Sequence, residues 1–162
     1  MVYQQFINYP HLNVFENIAF PLVENYGYTL GQAMKKVNHV LELVDLSDFG
    51  SHMPSRLSGG QKKRLVIALA LLREPKVLLL DEIYAALDVL TIRMMQETIV
   101  DLQQESHITT LITDHQARDL LAICDKAIIL SNSKIVASGT PNDLIKDESA
   151  NKFYFGNNFQ FN

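Results

Sequence analysis

An α/β fold is predicted, a parallel sheet flanked by helices with a largely helical segment ahead of it, and three stretches of the sequence carry that prediction. Val77-Leu78-Leu79-Leu80 is short, apolar on both faces and bounded by turn residues, the pattern of a buried parallel strand. Ile92, Met95, Ile99 and Leu102 recur at the three- and four-residue steps of one helix face, and Thr109–Thr113 reads as another short strand. Strand, helix, strand in that order makes a parallel crossover unit.

Upstream, Leu30, Ala33, Met34, Val37, Val40, Leu41 and Val44 repeat with helical spacing, and Thr29 with Gln32 has the form of a capping box. Residues 46–57 carry Gly50 and Pro54 and read as a connection. A helix should start at Ser58, which forms a second capping box with Gln61, and run to about Arg73, stopping before Pro75. Downstream, a helix is expected near 116–123, then a hairpin of 126–130 with 134–137 around Ser131-Asn132-Ser133. Thr140 and Pro141 supply a cap and a first-turn proline for a short helix near 142–146. The tail holds Phe153, Tyr154, Phe155, Phe159 and Phe161, too apolar for a solvated linker, and is expected to fold back onto the domain.

The length of 162 residues suits one domain, and 48% hydrophobic content is enough to build a core. A net charge of −4 argues against a nucleic-acid surface, which concentrates Lys and Arg. The tight basic cluster Lys62-Lys63-Arg64 is expected to be a solvated helix face. Cys124, the single cysteine, lies among Leu120, Leu121, Ala122 and Ile123 and reads as a small buried hydrophobe in a reducing, cytoplasmic setting. The longest apolar run, 65–72, is far short of the ~20 residues that span a bilayer. No Lys or Arg precedes Lys35, so the charged start of a secretory signal is missing. Membrane association is expected only through a partner protein.

Chemistry concentrates at three places. Ser58-Gly59-Gly60-Gln61 puts small residues at a helix N-terminus, where unpaired N–H groups and the helix dipole favour a close anion. Asp81 and Glu82 close an apolar strand; strand alternation would turn one carboxylate toward a metal and its neighbour toward an attacking water. His115 follows the second strand, at the edge where open parallel sheets bind ligands.

With Leu57 completing Leu-Ser-Gly-Gly-Gln, Asp81-Glu82 ending the strand, and Ala86-Leu87-Asp88 next, the chain closely resembles the ATP-binding-cassette (ABC) ATPases. The resemblance implies a partial P-loop NTPase fold with an α-helical signature subdomain over about 15–72, a catalytic-core part over about 73–150 and an aromatic tail over 151–162. It assigns Ser58, Gly59, Gly60 and Gln61 to the signature motif, which contacts the terminal phosphate of ATP held by the other subunit of a dimer. Asp81 becomes the Walker B aspartate in the Mg²⁺ shell, Glu82 the general base, His115 the switch histidine, and Asp88 the D-loop aspartate that communicates between the two sites. Gln4, followed by Tyr9-Pro10-His11-Leu12 and Glu16-Asn17-Ile18, resembles the Q-loop, with Gln4 near Mg²⁺ and the water. The implied ligands are ATP and Mg²⁺. The implied partners are a second ABC ATPase subunit and transmembrane permease subunits, without nucleic acid, on the cytoplasmic face of the inner membrane.

The pattern departs from the family in three respects. No Gly is followed by Lys, so the Walker A loop is not found, and the chain is expected to begin after that segment. Without its lysine and N–H cradle, Asp81 and Glu82 would meet the phosphates as like charges, and ATP binding by this chain alone is expected to be weak. Ile83-Tyr84 replaces a proline and a small residue, and Leu69 an arginine, so Tyr84 is expected to crowd the dimer-facing turn. Leu111 to His115, Ile123-Cys124-Asp125, Gly139-Thr140-Pro141 and the Tyr154-Phe155-Gly156 tail most resemble the lipopolysaccharide-export ATPase. The leading expectation is therefore an energy-coupling transporter ATPase, truncated and inactive alone. The alternative is a non-catalytic module that lends its signature motif to a complete ABC partner.

Overall fold

The computed structural model of the protein describes residues 9–155. Gln4 and the end of the aromatic tail, with Phe159 and Phe161, lie outside the described residues, as do the side chains of Phe153 and Tyr154. The chain forms two compact units that meet in sequence between Thr113 and Asp114.

The first unit begins with helix α1, Val14–Tyr26. Asn13 caps it: the Glu16 N–H donates to Asn13 Oδ1 at 2.8 Å and the Asn13 N–H to Glu16 Oε2 at 2.8 Å. Gly27 ends it in the left-handed conformation at φ 69°, where a side chain would be strained. This helix was expected only as part of a helical region; Pro21 in its middle obscures the periodicity. Helix α2, Leu30–Leu43, starts at the anticipated Thr29 and Gln32 box and buries Ala33, Val37, Val40 and Leu41. The connection that follows contains two 3-10 turns, Ser47–Phe49 and Pro54–Arg56. Backbone bonds from Val14 N to His52 O at 2.9 Å and from Phe15 N to Gly50 O at 2.8 Å tie it to the start of α1.

Helix α3, Gly59–Leu71, has Ser58 as N-cap, as the sequence indicates. Strand β1, Val77–Asp81, pairs in parallel with β2, Thr109–Thr113, Val77 opposite Thr109 and Asp81 opposite Thr113. Helix α4, Val89–Ser106, makes the crossover and turns its predicted stripe of Ile92, Met95, Ile99 and Leu102 inward. These join Leu65, Ile67, Leu78 and Leu80 in a core where each fully buried side chain contributes roughly 1.5–3 kcal/mol. Burial of β1 on both faces is not what the structure shows. Leu78 and Leu80 are each 1% exposed, but Val77 on the alternate face is 55% exposed, so the described helices cover one face.

The basic cluster corrects the sequence expectation more sharply. Lys62 is half-buried, while Lys63 and Arg64 are 8% and 6% exposed, so this is no solvated face. Arg64 donates through Nη1 to the carbonyls of Val44 (3.4 Å) and Asp45 (3.2 Å) and to Asp45 Oδ2 (2.7 Å). A guanidinium from α3 thereby satisfies carbonyls that the end of α2 leaves without helical donors.

In the second unit, α5, Ala117–Leu121, leads to an antiparallel hairpin of β3, Ala127–Ser131, and β4, Lys134–Gly139. Asn132 and Ser133 at its tip have φ of 48° and 60°, the left-handed pair that a two-residue hairpin turn requires. Helix α6, Pro141–Lys146, has Thr140 and Asp143 as its capping box, and a helical turn at Glu148–Ala150 leads into Asn151–Phe155. Leu121, Ile129, Ala137, Leu144 and Ala150 form this unit's core. Phe155 packs against it, as a folded-back tail would. Cys124 does too, and burial pushes its thiol pKa up, away from reactive thiolate. Among the described residues no helix is long and apolar enough to cross a membrane.

Removing a guanidinium that serves buried carbonyls should cost far more than removing its exposed carboxylate partner. Arg64→Met is expected to destabilise the chain by about 2–4 kcal/mol in urea unfolding, and Asp45→Asn by about 1 kcal/mol or less. Equal losses would mean that the ion pair, not the carbonyl bonds, carries the joint.

Candidate functional site

The site grows from the carboxyl end of β1. Asp81 is exposed there, and the hydroxyl of Thr113, its partner across the parallel ladder, donates to its Oδ1. The Glu82 N–H donates to the carbonyl of Thr113 at 2.7 Å, so both acidic residues are referenced to the same point on β2. Glu82 does not continue the strand alternation. Its φ is 50°, in the left-handed region that side chains other than glycine enter at a cost of ~1–3 kcal/mol, so it opens a turn and leaves the strand. Its direction is set by that turn and not by the pleat.

The turn runs from Glu82 to Leu87, with Ala85 N donating to Glu82 O and Leu87 N to Tyr84 O, both at 3.2 Å. Ala86 is again left-handed, at φ 57°. Ile83 and Tyr84 are 2% and 0% exposed, so the bulk of Tyr84 goes into the core instead of crowding an outward-facing turn. Asp88 then caps α4: Oδ1 accepts from Thr91 N at 2.9 Å and Oδ2 from Thr91 Oγ1 at 2.6 Å. Those two bonds, the hydroxyl's first, hold its carboxyl pKa below the usual aspartate value.

The signature segment packs onto this turn. Ser58 Oγ accepts from Gln61 N at 3.2 Å and Gln61 Oε1 from Ser58 N at 2.9 Å, so both motif side chains take part in the cap. Ser58 and Gly59 are exposed, Gly60 is buried. A Cβ on Gly60 would lie 2.2 Å from the methyl of Thr91, whereas one on Gly59 would make ordinary contact with Leu87 at 3.7 Å. Position 60 therefore must be glycine for α3 to cross the start of α4, whatever it also does for an anion.

Lys63, one turn further along α3, points at the same place. Its ammonium donates to the carbonyls of Glu82 (3.0 Å), Ile83 (2.6 Å) and Ala85 (2.8 Å). Hydrogen bonds from a charged donor are worth about 1.5–3 kcal/mol each, enough to offset the strained backbone they bridge. The sequence signal for Lys63 was its position: Gly60, Lys63, Arg64, Ile67, Ala68 and Leu71 form a single three-and-four stripe, and the apolar members show that the basic ones face inward.

Of the residues singled out in the sequence, Ser58, Gly59, Gly60, Gln61, Asp81, Glu82 and Asp88 lie in the first unit. His115 belongs to the second unit, two residues past β2; it is exposed, and its carbonyl accepts from Ala117 N at 3.0 Å. Gln4 is outside the described residues. No cluster of three or more His, Cys, Asp or Glu able to hold a metal occurs among the described residues. One exposed carboxylate such as Asp81, with a hydroxyl holding its other oxygen, suits an ion that keeps most of its waters, as Mg²⁺ does.

Gly60→Ala should destabilise the chain by about 1–3 kcal/mol, because Thr91 cannot rotate away without giving up its hydroxyl bond to Asp88. Thr91→Ser removes the methyl and keeps the hydroxyl, so the double variant should recover most of that loss; additive losses would place the strain elsewhere. Asp88 gives a pH effect of defined sign. A depressed carboxyl pKa contributes stability above the unfolded-state value and loses it as pH falls through the folded-state value. Asp88→Asn should accordingly flatten the acid limb of α4 stability followed by hydrogen exchange, and an unchanged limb would remove the cap as its source.

The sequence profile of the ABC transporter family matches residues 1–85. The chain is 37% identical over 150 residues to the Fe(3+) ions import ATP-binding protein FbpC of Photobacterium profundum, an alignment covering 93% of this chain and 42% of that protein. It is 38% identical over 154 residues to the sulfate/thiosulfate import ATP-binding protein CysA of Mesostigma viride, covering 95% and 44%. To the spermidine/putrescine import ATP-binding protein PotA of Roseobacter denitrificans it is 39% identical over 152 residues, covering 94% and 41%. The chain thus spans less than half the length of these three relatives. Among solved structures, cbiO1 from Clostridium perfringens, part of the ABC transporter complex cbiONQ, superposes with a TM-score of 0.80 at 27% identity, covering 91% of this chain and 57% of that one. With the signature helix, the Asp81-Glu82 turn and the family profile in agreement, the chain belongs to the ABC transporter ATP-binding family.

Proposed function

We propose that this protein is an ATP-binding, ATP-hydrolysing energy-coupling subunit of an ABC importer. The observation that carries the reading is the packing of the exposed Ser58-Gly59 helix start against the turn that follows Asp81. In it, two parts of a nucleotide site that are distant in sequence share one scaffold.

In this reading Asp81 holds Mg²⁺, which supplies charge neutralisation to the phosphates when bound. Glu82 orients or deprotonates the attacking water, Gln4 lies near Mg²⁺ and that water, and His115 senses the terminal phosphate. The N-terminal end of α3, with Ser58 and Gly59 exposed, presents N–H groups to nucleotide held by a second ABC ATPase subunit, and Asp88 communicates across that dimer. The assembly sits on membrane permease subunits at the cytoplasmic face. Import is favoured over lipopolysaccharide export because the three relatives above all carry import names. The cargo follows the permease, with ferric ions, sulfate and polyamines as the first to try.

The test is ATP turnover by the chain assembled with its ABC partner and permease. Glu82→Gln is expected to lower kcat by about 10²–10⁴, the usual contribution of a general base. An unchanged rate would remove Glu82 from the reaction. Full activity of the Glu82→Gln assembly that disappears with a bulky residue at Ser58 would instead support a chain that lends only its signature motif to its partner.

A further inference from the structure

We infer that Lys63 is a positioning residue: its ammonium sets the conformation of the turn from Glu82 to Ala85 and thereby aims the Glu82 carboxylate. Its catalytic meaning rests on the ATPase reading above, while its structural content stands on geometry.

An ammonium has three N–H donors and no acceptor, and here the three carbonyls of Glu82, Ile83 and Ala85 converge within 3.0 Å of it. Carbonyl oxygens pointed at one spot repel each other, and at a site where Lys63 is 8% exposed there is little water to separate them. The turn also places Glu82 and Ala86 at φ of 50° and 57° without a glycine at either position. A backbone of this kind persists only where its surroundings over-determine it. The internal bonds of the turn, Ala85 N to Glu82 O and Leu87 N to Tyr84 O at 3.2 Å, are long, and the Glu82 N–H bond to Thr113 fixes one end alone. Beside the burial of Ile83 and Tyr84, Lys63 adds three charged hydrogen bonds to the turn. Because it stands one helical turn beyond Gly60 on α3, the same helix that starts with the signature motif carries the ammonium that shapes the turn behind Asp81.

The Glu82 carbonyl belongs to the residue whose carboxylate is proposed to act on water, so a shift of that peptide re-aims the side chain directly. Loss of the ammonium should therefore affect the chemical step more than nucleotide affinity. Lys63→Met keeps the aliphatic stem and removes the charge and donors. In the chain itself, the amides of Ala85 and Leu87 should exchange about tenfold faster or more in this variant, with those of Leu78 and Leu80 in β1 unchanged. In the assembled ATPase, kcat should fall by about 10- to 100-fold with KM nearly constant, as a small misplacement of a reacting group does. Lys63→Cys in a Cys124→Ala background, alkylated with bromoethylamine, restores an ammonium at the same reach and should recover both readouts.

Unchanged exchange at Ala85 and Leu87, or failure of aminoethylation to restore it, overturns the inference. Should Lys63→Met fail to fold, the unaltered chain decides: with nitrogen-15 lysine labelling, the Lys63 ammonium should give a resolved, slowly exchanging proton correlation at neutral pH. Rapid exchange there equally overturns it. If the unaltered assembly turns over no ATP, the proposed function fails, and exchange and ammonium spectra still decide whether Lys63 holds the turn.

Discussion

One buried ammonium organises the chemistry-bearing end of the first unit. The carbonyls of Glu82, Ile83 and Ala85 converge once the strand has ended, and a shared donor suits all three. Lys63 is that donor, from a helix that precedes the strand in sequence, and so the placement of α3 relative to β1 follows from an electrostatic requirement as much as from the apolar contacts of Leu65 and Ile67. Arg64 does the corresponding work for the end of α2. Two adjacent basic side chains thus bind α3 to two different pieces of backbone through carbonyl oxygens, Arg64 adding an ion pair with Asp45.

The close approach of Gly60 to Thr91 is the steric counterpart of that arrangement. A motif glycine invites the view that its backbone must come near a phosphate. Here the absent side chain is already accounted for by helix packing, which makes the glycine necessary before any ligand arrives. Gly59, with room around it, keeps the more open role.

Much of this architecture was legible because it is local. Thr29 and Ser58 announce helices through capping boxes and Thr140 with Pro141 through a cap and a first-turn proline, the crossover unit shows in the spacing of Ile92, Met95, Ile99 and Leu102, and the hairpin in Ser131-Asn132-Ser133. What escaped was non-local. A lysine that bonds carbonyls about twenty positions away leaves no mark in composition, and a basic triplet reads as a solvated face unless its place on the apolar stripe is weighed. The left-handed backbone of Glu82 was hidden for the same reason, since nothing in Asp81-Glu82-Ile83 shows where a strand stops. Helix α1 was obscured by Pro21, and the partial cover of β1 cannot be told from an apolar tetrapeptide that suits a fully buried strand equally well.

Asn17 is a fully buried polar side chain on α1. It accepts from Tyr9 N at 2.6 Å and donates to the carbonyls of Tyr9, Leu12 and Asn13 at 3.0, 2.9 and 2.9 Å. Both the nitrogen and the oxygen of one amide are thereby engaged by the five residues leading into the helix. The start of α1 is in turn bonded through Val14 and Phe15 to the backbone of His52 and Gly50, so residues 9–13 are tied by hydrogen bonds to the segment that leads to Ser58. One amide thus extends the ordered backbone of the first unit to the five residues ahead of its first helix.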